Sequence, residues 1–252
     1  MDILSVKEIS ANLTVDADIQ IFDTLESTNT TAKELALNGA LNGTAIIADG
    51  LTAARGRCGR SFYAPKSAGI YMSVILRPES DIANSPELIT ISAAVAVCNA
   101  IENVCKKSPK VKWINDIFIG GKKICGILAE AVTNNIGDLQ AIILGIGINF
   151  VKVDVPNELR EIVGAVFENE PTTTRNHLIA EVLNNLLTPR DWDETLEIYK
   201  NRLFMLNKDV RVETAEPYVA TAIDVDERGR LIVQKSNGET HILDSGEISI
   251  KL

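Results

Sequence analysis

The segment Arg55-Gly56-Arg57-Cys58-Gly59-Arg60 places three permanent positive charges within six residues and separates them with glycines. A guanidinium is a planar fork of N–H donors that matches phosphate and carboxylate groups. Glycine lets the backbone approach a ligand closely or take a positive φ. Such a segment can hold an anion, although taken alone it reads equally well as a solvated basic turn. A second constellation runs Lys112-Trp113-Ile114-Asn115-Asp116 and then Gly120-Gly121-Lys122-Lys123-Ile124-Cys125-Gly126-Ile127. Asn115 and Asp116 stand between apolar stretches, where burial without partners is costly, so they face a polar cleft or pair with a neighbour. A lysine leaving a glycine hairpin can reach back over that cleft and neutralise a phosphoryl oxygen; by itself the segment also fits a surface hairpin with solvated lysines. Ser27-Thr28-Asn29 supplies three small hydrogen-bonding side chains, which equally suit helix capping.

These groups need a frame. Residues 19–25, 44–49 and 70–76 read as strands, the last mostly apolar and therefore interior. Thr31-x-x-Glu34 is a capping-box pattern opening a short helix that stops at Asn38-Gly39. Ser85-Pro86 offers a cap and a proline at the first helical position ahead of an apolar helix reaching about Cys105. Residues 111–119, 124–132 and 139–149 are further strands, with Gly120-Gly121 turning a hairpin between the first two. Helices follow at 174–187 and after the cap Asp191-x-x-Glu194, the second carrying Leu196, Tyr199, Leu203 and Phe204 on a helical period. Beyond Leu206 come short strands at 210–213, 219–226, 231–234, 240–243 and 248–250, turned at Arg228-Gly229 and Asn237-Gly238. That pattern predicts a small all-β barrel and a domain boundary near residue 205, giving domains 1–205 and 206–252.

Composition narrows the function classes. The 252 residues are 46% hydrophobic and 23% charged, ordinary values for a globular protein. Four scattered cysteines (Cys58, Cys98, Cys105, Cys125) without a C-x-x-C pair, and only two histidines, argue against zinc and fit a reducing compartment. No uninterrupted apolar stretch has the length of a membrane span, and the first ten residues lack a leader pattern. The default expectation is cytoplasmic, with no membrane partner. A net charge of −9 argues against nonspecific nucleic-acid binding, which makes the local basic island at 55–60 conspicuous.

Taken together, the blocks resemble the biotin protein ligase family, within the wider group of biotin and lipoate ligases. They are 23–29 (DTLESTN), 54–63 (ARGRCGRSFY), 69–77 (GIYMSVILR), 112–116 (KWIND), 120–130 (GGKKICGILAE) and 145–149 (GIGIN), in family order over roughly residues 20–252. The resemblance implies an α+β fold: a mixed, mainly antiparallel sheet flanked by helices, like that of class II synthetases, plus a small SH3-like C-terminal barrel. It implies ATP and biotin as substrates with Mg2+, a biotinyl-adenylate intermediate, and transfer to a lysine of a biotin carboxyl carrier domain. By position, Ser27, Thr28, Asn29, Arg55, Gly56, Arg57, Lys123 and Gly126 are implied biotin contacts. Arg57, Arg60, Lys112, Asn115 and Asn149 fall on the nucleotide. Lys123, Arg57 and Asp116 are the implied catalytic groups, with Asp116 either a Mg2+ ligand or the acceptor of the amine's proton. A homodimer through a sheet edge is suggested by the same analogy.

The chain also departs from the family pattern. A glutamine that contacts biotin aligns with Leu51, the loop's first glycine with Ala54, a family arginine with Cys58 and a tryptophan with Phe62. Leu51 cannot supply an amide hydrogen bond, an absence worth about 1–3 kcal/mol or roughly 5- to 150-fold in affinity. Two alternatives stand beside the ligase: a paralogue adenylating another acid such as lipoate, or a catalytically weak biotin-binding protein. Eighteen residues precede the strand at Ile19, too few for the DNA-binding domain many bacterial relatives carry, so no DNA partner is expected.

Overall fold

The structure, a computed structural model, describes residues 2–77, 85–134, 136–244 and 247–250, without the side chains of Cys58, Glu247 and Ile250. Its frame is a seven-stranded sheet. In chain order the strands are β1 (Ile19–Leu25), β2 (Ala45–Leu51), β3 (Gly69–Leu76), β4 (Lys110–Lys112), β5 (Asp116–Ile119), β6 (Lys122–Thr133) and β7 (Leu139–Asn149). They lie side by side as β1-β2-β3-β7-β6-β5-β4. The β1–β2 pair is parallel and every other pair antiparallel. This is the mixed, mainly antiparallel α+β fold expected. β3 is interior and buried along nearly its whole length.

Helices cover both faces. α2 (Thr28–Leu37) lies on one, where Ala32 and Ala36 pack on Ile46, Ile75, Val132 and Ile143. Small residues on the helix let it sit low on the sheet. On the opposite face α3 (Pro86–Ala100), continued by a π-helical turn to Cys105, is buried almost all round. Its length and apolarity would suit a membrane span, but here they serve burial between the sheet and helices α4 (Arg175–Leu187) and α5 (Trp192–Arg202). A short α1 (Val6–Ser10) packs on α4.

The tail folds into a second antiparallel sheet of β8 (Lys208–Glu213), β9 (Tyr218–Val225), β10 (Leu231–Gln234), β11 (Thr240–Leu243) and β12 (Glu247–Ile250), ordered β11-β10-β9-β8-β12. Gly229 and Gly238 turn its hairpins at φ +76° and +86°, where an L side chain is strained. The small sheet shares one continuous core with the large one. Trp113 Nε1 donates to the Gly229 carbonyl (2.9 Å), and Trp192 Nε1 to that of Glu227 (2.8 Å).

Three local expectations change. Residues 111–119 are two strands, β4 and β5, reversed about Trp113-Ile114-Asn115; the polar Asn-Asp pair inside an apolar run is turn chemistry. The helix expected from Thr31 is α2, which starts at Thr28 and is capped by Ser27, whose hydroxyl accepts from the Thr30 amide; Thr31 lies inside it and donates to the Ser27 carbonyl. Ser85 sits at the N-cap of α3, but its hydroxyl donates to Glu87 instead of capping a helix amide.

Candidate active site

On the face that carries α2, two rows of the large sheet are opened by glycines. Tyr71, Gly147 and Gly126 lie in register across β3, β7 and β6, and Ser73, Gly145 and Leu128 form the next row. α2 covers the rest of that face, so its first turn ends at the edge of a cavity of about 450 Å³ floored by these residues. The glycines are needed for contact. A Cβ on Gly147 would stand 2.8 Å from the Phe62 ring, and one on Gly145 only 2.3 Å from Asn29 Oδ1.

The arginine loop forms one wall. It leaves β2, closes on itself where the Gly56 amide donates to the Arg60 carbonyl (2.7 Å), and makes a single 3-10 turn at Arg57–Gly59. Gly59 at φ +73° allows that closure. Arg55, Gly56, Arg57 and Arg60 all line the cavity, as do Leu51, Ala54 and Phe62. Arg57 donates to Asn115 Oδ1 at 3.0 Å, and Asn115 Nδ2 donates to the Ile127 carbonyl at 2.9 Å. One asparagine therefore fastens the loop to the β4–β5 turn and to β6. The turn is supported from below by Tyr199, whose hydroxyl, pushed far up its titration range by burial, donates to the Ile114 carbonyl (3.0 Å).

Lys123 forms the opposite wall. Its backbone is held by residues 162–164, the amide donating to the Ile162 carbonyl (2.8 Å) and the carbonyl accepting from Gly164 (2.9 Å). The side chain then lies across the open Gly126, and its ammonium stands 2.6 Å from Asp116 Oδ1. That oxygen has no aligned hydrogen bond, so the contact is one of charge. Both side chains are about a quarter exposed, and the pair faces the cavity. No group of three or more His, Cys, Asp or Glu suited to a metal exists among the described residues. One carboxylate already held by an ammonium does not make a resident magnesium site.

Of the residues singled out from sequence, Ser27, Thr28, Asn29, Arg55, Gly56, Arg57, Arg60, Lys112, Asn115, Asp116, Lys123 and Gly126 converge on this cavity. Asn149 does not. It lines an adjoining cavity of about 250 Å³ on the far side of Tyr71, and its amide donates to the Gly164 carbonyl (3.0 Å). Sequence reading missed Glu213, Ile248 and Ser249, which reach the main cavity from the small sheet. The Ser249 hydroxyl donates to Glu213 (2.8 Å), and with Arg211 and Lys112 nearby it keeps that carboxyl below its ordinary range. It also missed Ser73, buried beneath Thr28 and Asn29. Glu213, Ile248 and Ser249 come from chain segments far from the motifs, and Ser73, although inside the block 69–77, meets partners 44 and 45 positions away that no local pattern marks.

A cationic, glycine-floored cavity on such a sheet is suited to anionic ligands, and the family to which the chain belongs is shown directly. Residues 21–149 match the model of the biotin/lipoate A/B protein ligase family, so the chain belongs to that family; residues 205–251 match the biotin protein ligase C terminal domain. The bifunctional ligase/repressor BirA of Bacillus subtilis is 44% identical over 142 residues, which cover 56% of this chain and 43% of that protein. The chain thus matches less than half the length of that relative. The biotin–[acetyl-CoA-carboxylase] ligase of Mycobacterium tuberculosis is 28% identical over 88% of this chain and 85% of its own. In fold, the chain resembles the biotin protein ligase from Aquifex aeolicus in complex with biotin and ATP, with a TM-score of 0.80 at 22% identity, covering 93% of this chain and 98% of that one.

Proposed function

We propose that this protein joins biotin to ATP as biotinyl-5'-AMP and then passes the biotinyl group to a lysine of a biotin carboxyl carrier domain. The observation that carries this is the meeting of Arg57, held by Asn115, with Lys123 across one cavity. Two anions, the carboxylate and the α-phosphate, repel each other, and fixed cations offset that repulsion as charge develops in the transition state. A biotin carboxylate oxygen attacks the α-phosphorus and pyrophosphate leaves. The resulting mixed anhydride is open to hydrolysis, and residues 54–62 lying over the floor exclude water from it. In the second step the acceptor lysine nitrogen attacks the biotinyl carbonyl carbon, AMP leaves, and the nitrogen sheds a proton, which we assign to Asp116.

Within this reading Ser27, Thr28 and Asn29 face the fused rings, and Leu51, Phe62 and Ile127 line the path of the aliphatic chain. Arg60, Lys112 and Asn115 serve the nucleotide, and Asn149 meets it in the adjoining cavity. Magnesium would supply charge neutralisation at the phosphates; the carboxylate on this cavity's wall that could face it is Asp116, here paired with Lys123.

The test is to incubate the protein with biotin and MgATP and analyse by mass spectrometry for biotinyl-adenylate, then add a carrier domain and follow its gain of one biotinyl group. A second reading has one specific support: Leu51 lines the cavity where an amide would otherwise bond biotin. An adenylate formed with lipoate or octanoate but not with biotin favours that paralogue; binding of biotin without turnover favours a silent binder.

A further inference from the structure

Ser73 carries a hydroxyl with no exposure at all, and a buried hydroxyl must be paired. Its Oγ is 2.7 Å from Thr28 Oγ1 and 2.6 Å from Asn29 Oδ1. The partner of Ser73 across β7 is Gly145, and the missing side chain there leaves the slot that the Asn29 amide fills. On its other side, Asn29 Nδ2 donates to Glu130 Oε2.

The donors and acceptors in this chain of four residues can be assigned without ambiguity. A carboxylate only accepts, so the NH2 group of Asn29 faces Glu130 and its carbonyl oxygen faces Ser73. A carbonyl only accepts as well, so Ser73 gives its single proton to Asn29. The contact between Ser73 and Thr28 is then a hydrogen bond only if Thr28 donates. Thr28 lines the cavity with its proton directed into the sheet, and what it offers to a ligand is lone pairs.

We infer that Ser73 is a positioning residue for specificity: it sets Thr28 as an acceptor, so that the pocket selects a ligand carrying an N–H donor, such as a cyclic urea, over a plain fatty or dithiolane acid. This rests on the biotin reading. Neither Ser73 nor Glu130 touches substrate in this arrangement; both act through Thr28 and Asn29.

The experiment measures adenylation kinetics of Ser73→Ala, Ser73→Cys and Ser73→Thr with biotin, octanoate and MgATP, beside melting temperatures. Leaving a buried polar group unpaired predicts a rise in biotin KM of about tenfold or more for the alanine and cysteine variants. Octanoate affinity and the KM for MgATP stay within about twofold, and threonine, which keeps the hydroxyl, restores most of the biotin affinity. Cysteine leaves no cavity, whereas alanine does, so a loss shared by both variants reports the hydrogen bond and not a void. Glu130→Gln, at an exposed position, frees the Asn29 amide to turn over and raises biotin KM in the same direction without touching the core. An unchanged biotin KM in Ser73→Ala and Ser73→Cys overturns the inference. So does an equal loss for biotin, octanoate and MgATP that follows the melting temperature. If the parent protein adenylates octanoate but not biotin, the biotin reading itself fails and this inference falls with it.

Discussion

Arg57 and Asn115, 58 positions apart in the chain, are joined by a 3.0 Å hydrogen bond that ties the arginine loop to the turn between β4 and β5. The same asparagine donates to the Ile127 carbonyl, so its side chain spans three elements at the cavity wall. A guanidinium directed in this way is already aimed before substrate arrives, which lowers the cost of ordering it during reaction. Asn115→Ala is therefore expected to lower kcat/KM for adenylation by about 10- to 100-fold, with the loss mainly in kcat. Steady-state pyrophosphate release measures this. A change of less than about twofold would remove the tether from the mechanism.

Gly147 and Phe62 are predicted to be energetically coupled. Gly147→Ala places a methyl group 2.8 Å from the Phe62 ring and pushes it off the floor. The single substitution should weaken biotin binding about tenfold, whereas in a Phe62→Ala background it should cost little further. A double-mutant cycle on biotin dissociation constants gives the coupling, expected at about 1 kcal/mol or more. Additive effects would show that the ring does not rest on the glycine.

Arg175 is a structural group. It is 1% exposed, ion-paired to Asp2 at 2.9 Å and Asp49 at 2.6 Å, and donates also to the Gly69 carbonyl. It thereby locks the N-terminus, β2 and β3 onto α4. Arg175→Met leaves two carboxylates facing a buried apolar group, at a cost of about 3–5 kcal/mol. Urea unfolding should show that loss in the midpoint, and a loss below about 1 kcal/mol would contradict this role.

Cys98 and Cys105 are pushed up to about 12 by burial, and Cys125 is driven well above its ordinary range by the same cause. A thiol titrating near 12 is only about one part in 10,000 thiolate at pH 8, and the thiolate is the reactive form. Maleimide treatment of the folded protein at that pH, followed by peptide mapping, should leave these three unlabelled; labelling should appear only on unfolding. Rapid labelling of Cys125 in the native state would contradict the packing around β6.

Elements with strong local patterns were legible. α4 and α5 begin where Thr174 and Asp191 place their caps, and the β5–β6 hairpin turns at Gly120-Gly121, both at positive φ. The motif residues gathered in one cavity because the family blocks lie on strands that neighbour one another in the sheet. The β4–β5 reversal was missed because Val111, Trp113, Ile117 and Ile119 mimic a continuous strand. Ser73, Glu213 and Arg175 were missed because their partners lie 44, 36 and 173 positions away, and periodicity carries no information on such contacts. Asn149 sits at the end of the glycine motif on β7, yet the Tyr71 ring separates it from the main cavity.

Lys123 is the most direct test of the cation pair. Its side chain is partly exposed and its backbone bonds to residues 162–164 do not depend on it, so Lys123→Ala should cost no more than about 1 kcal/mol of stability. Biotinyl-adenylate formation should fall by about 100-fold or more, since the charge that offsets the meeting of carboxylate and α-phosphate is gone. Both quantities come from one preparation, by thermal melting and by single-turnover adenylation. A parent-like adenylation rate, or an activity loss no larger than the loss in stability explains, would contradict the account.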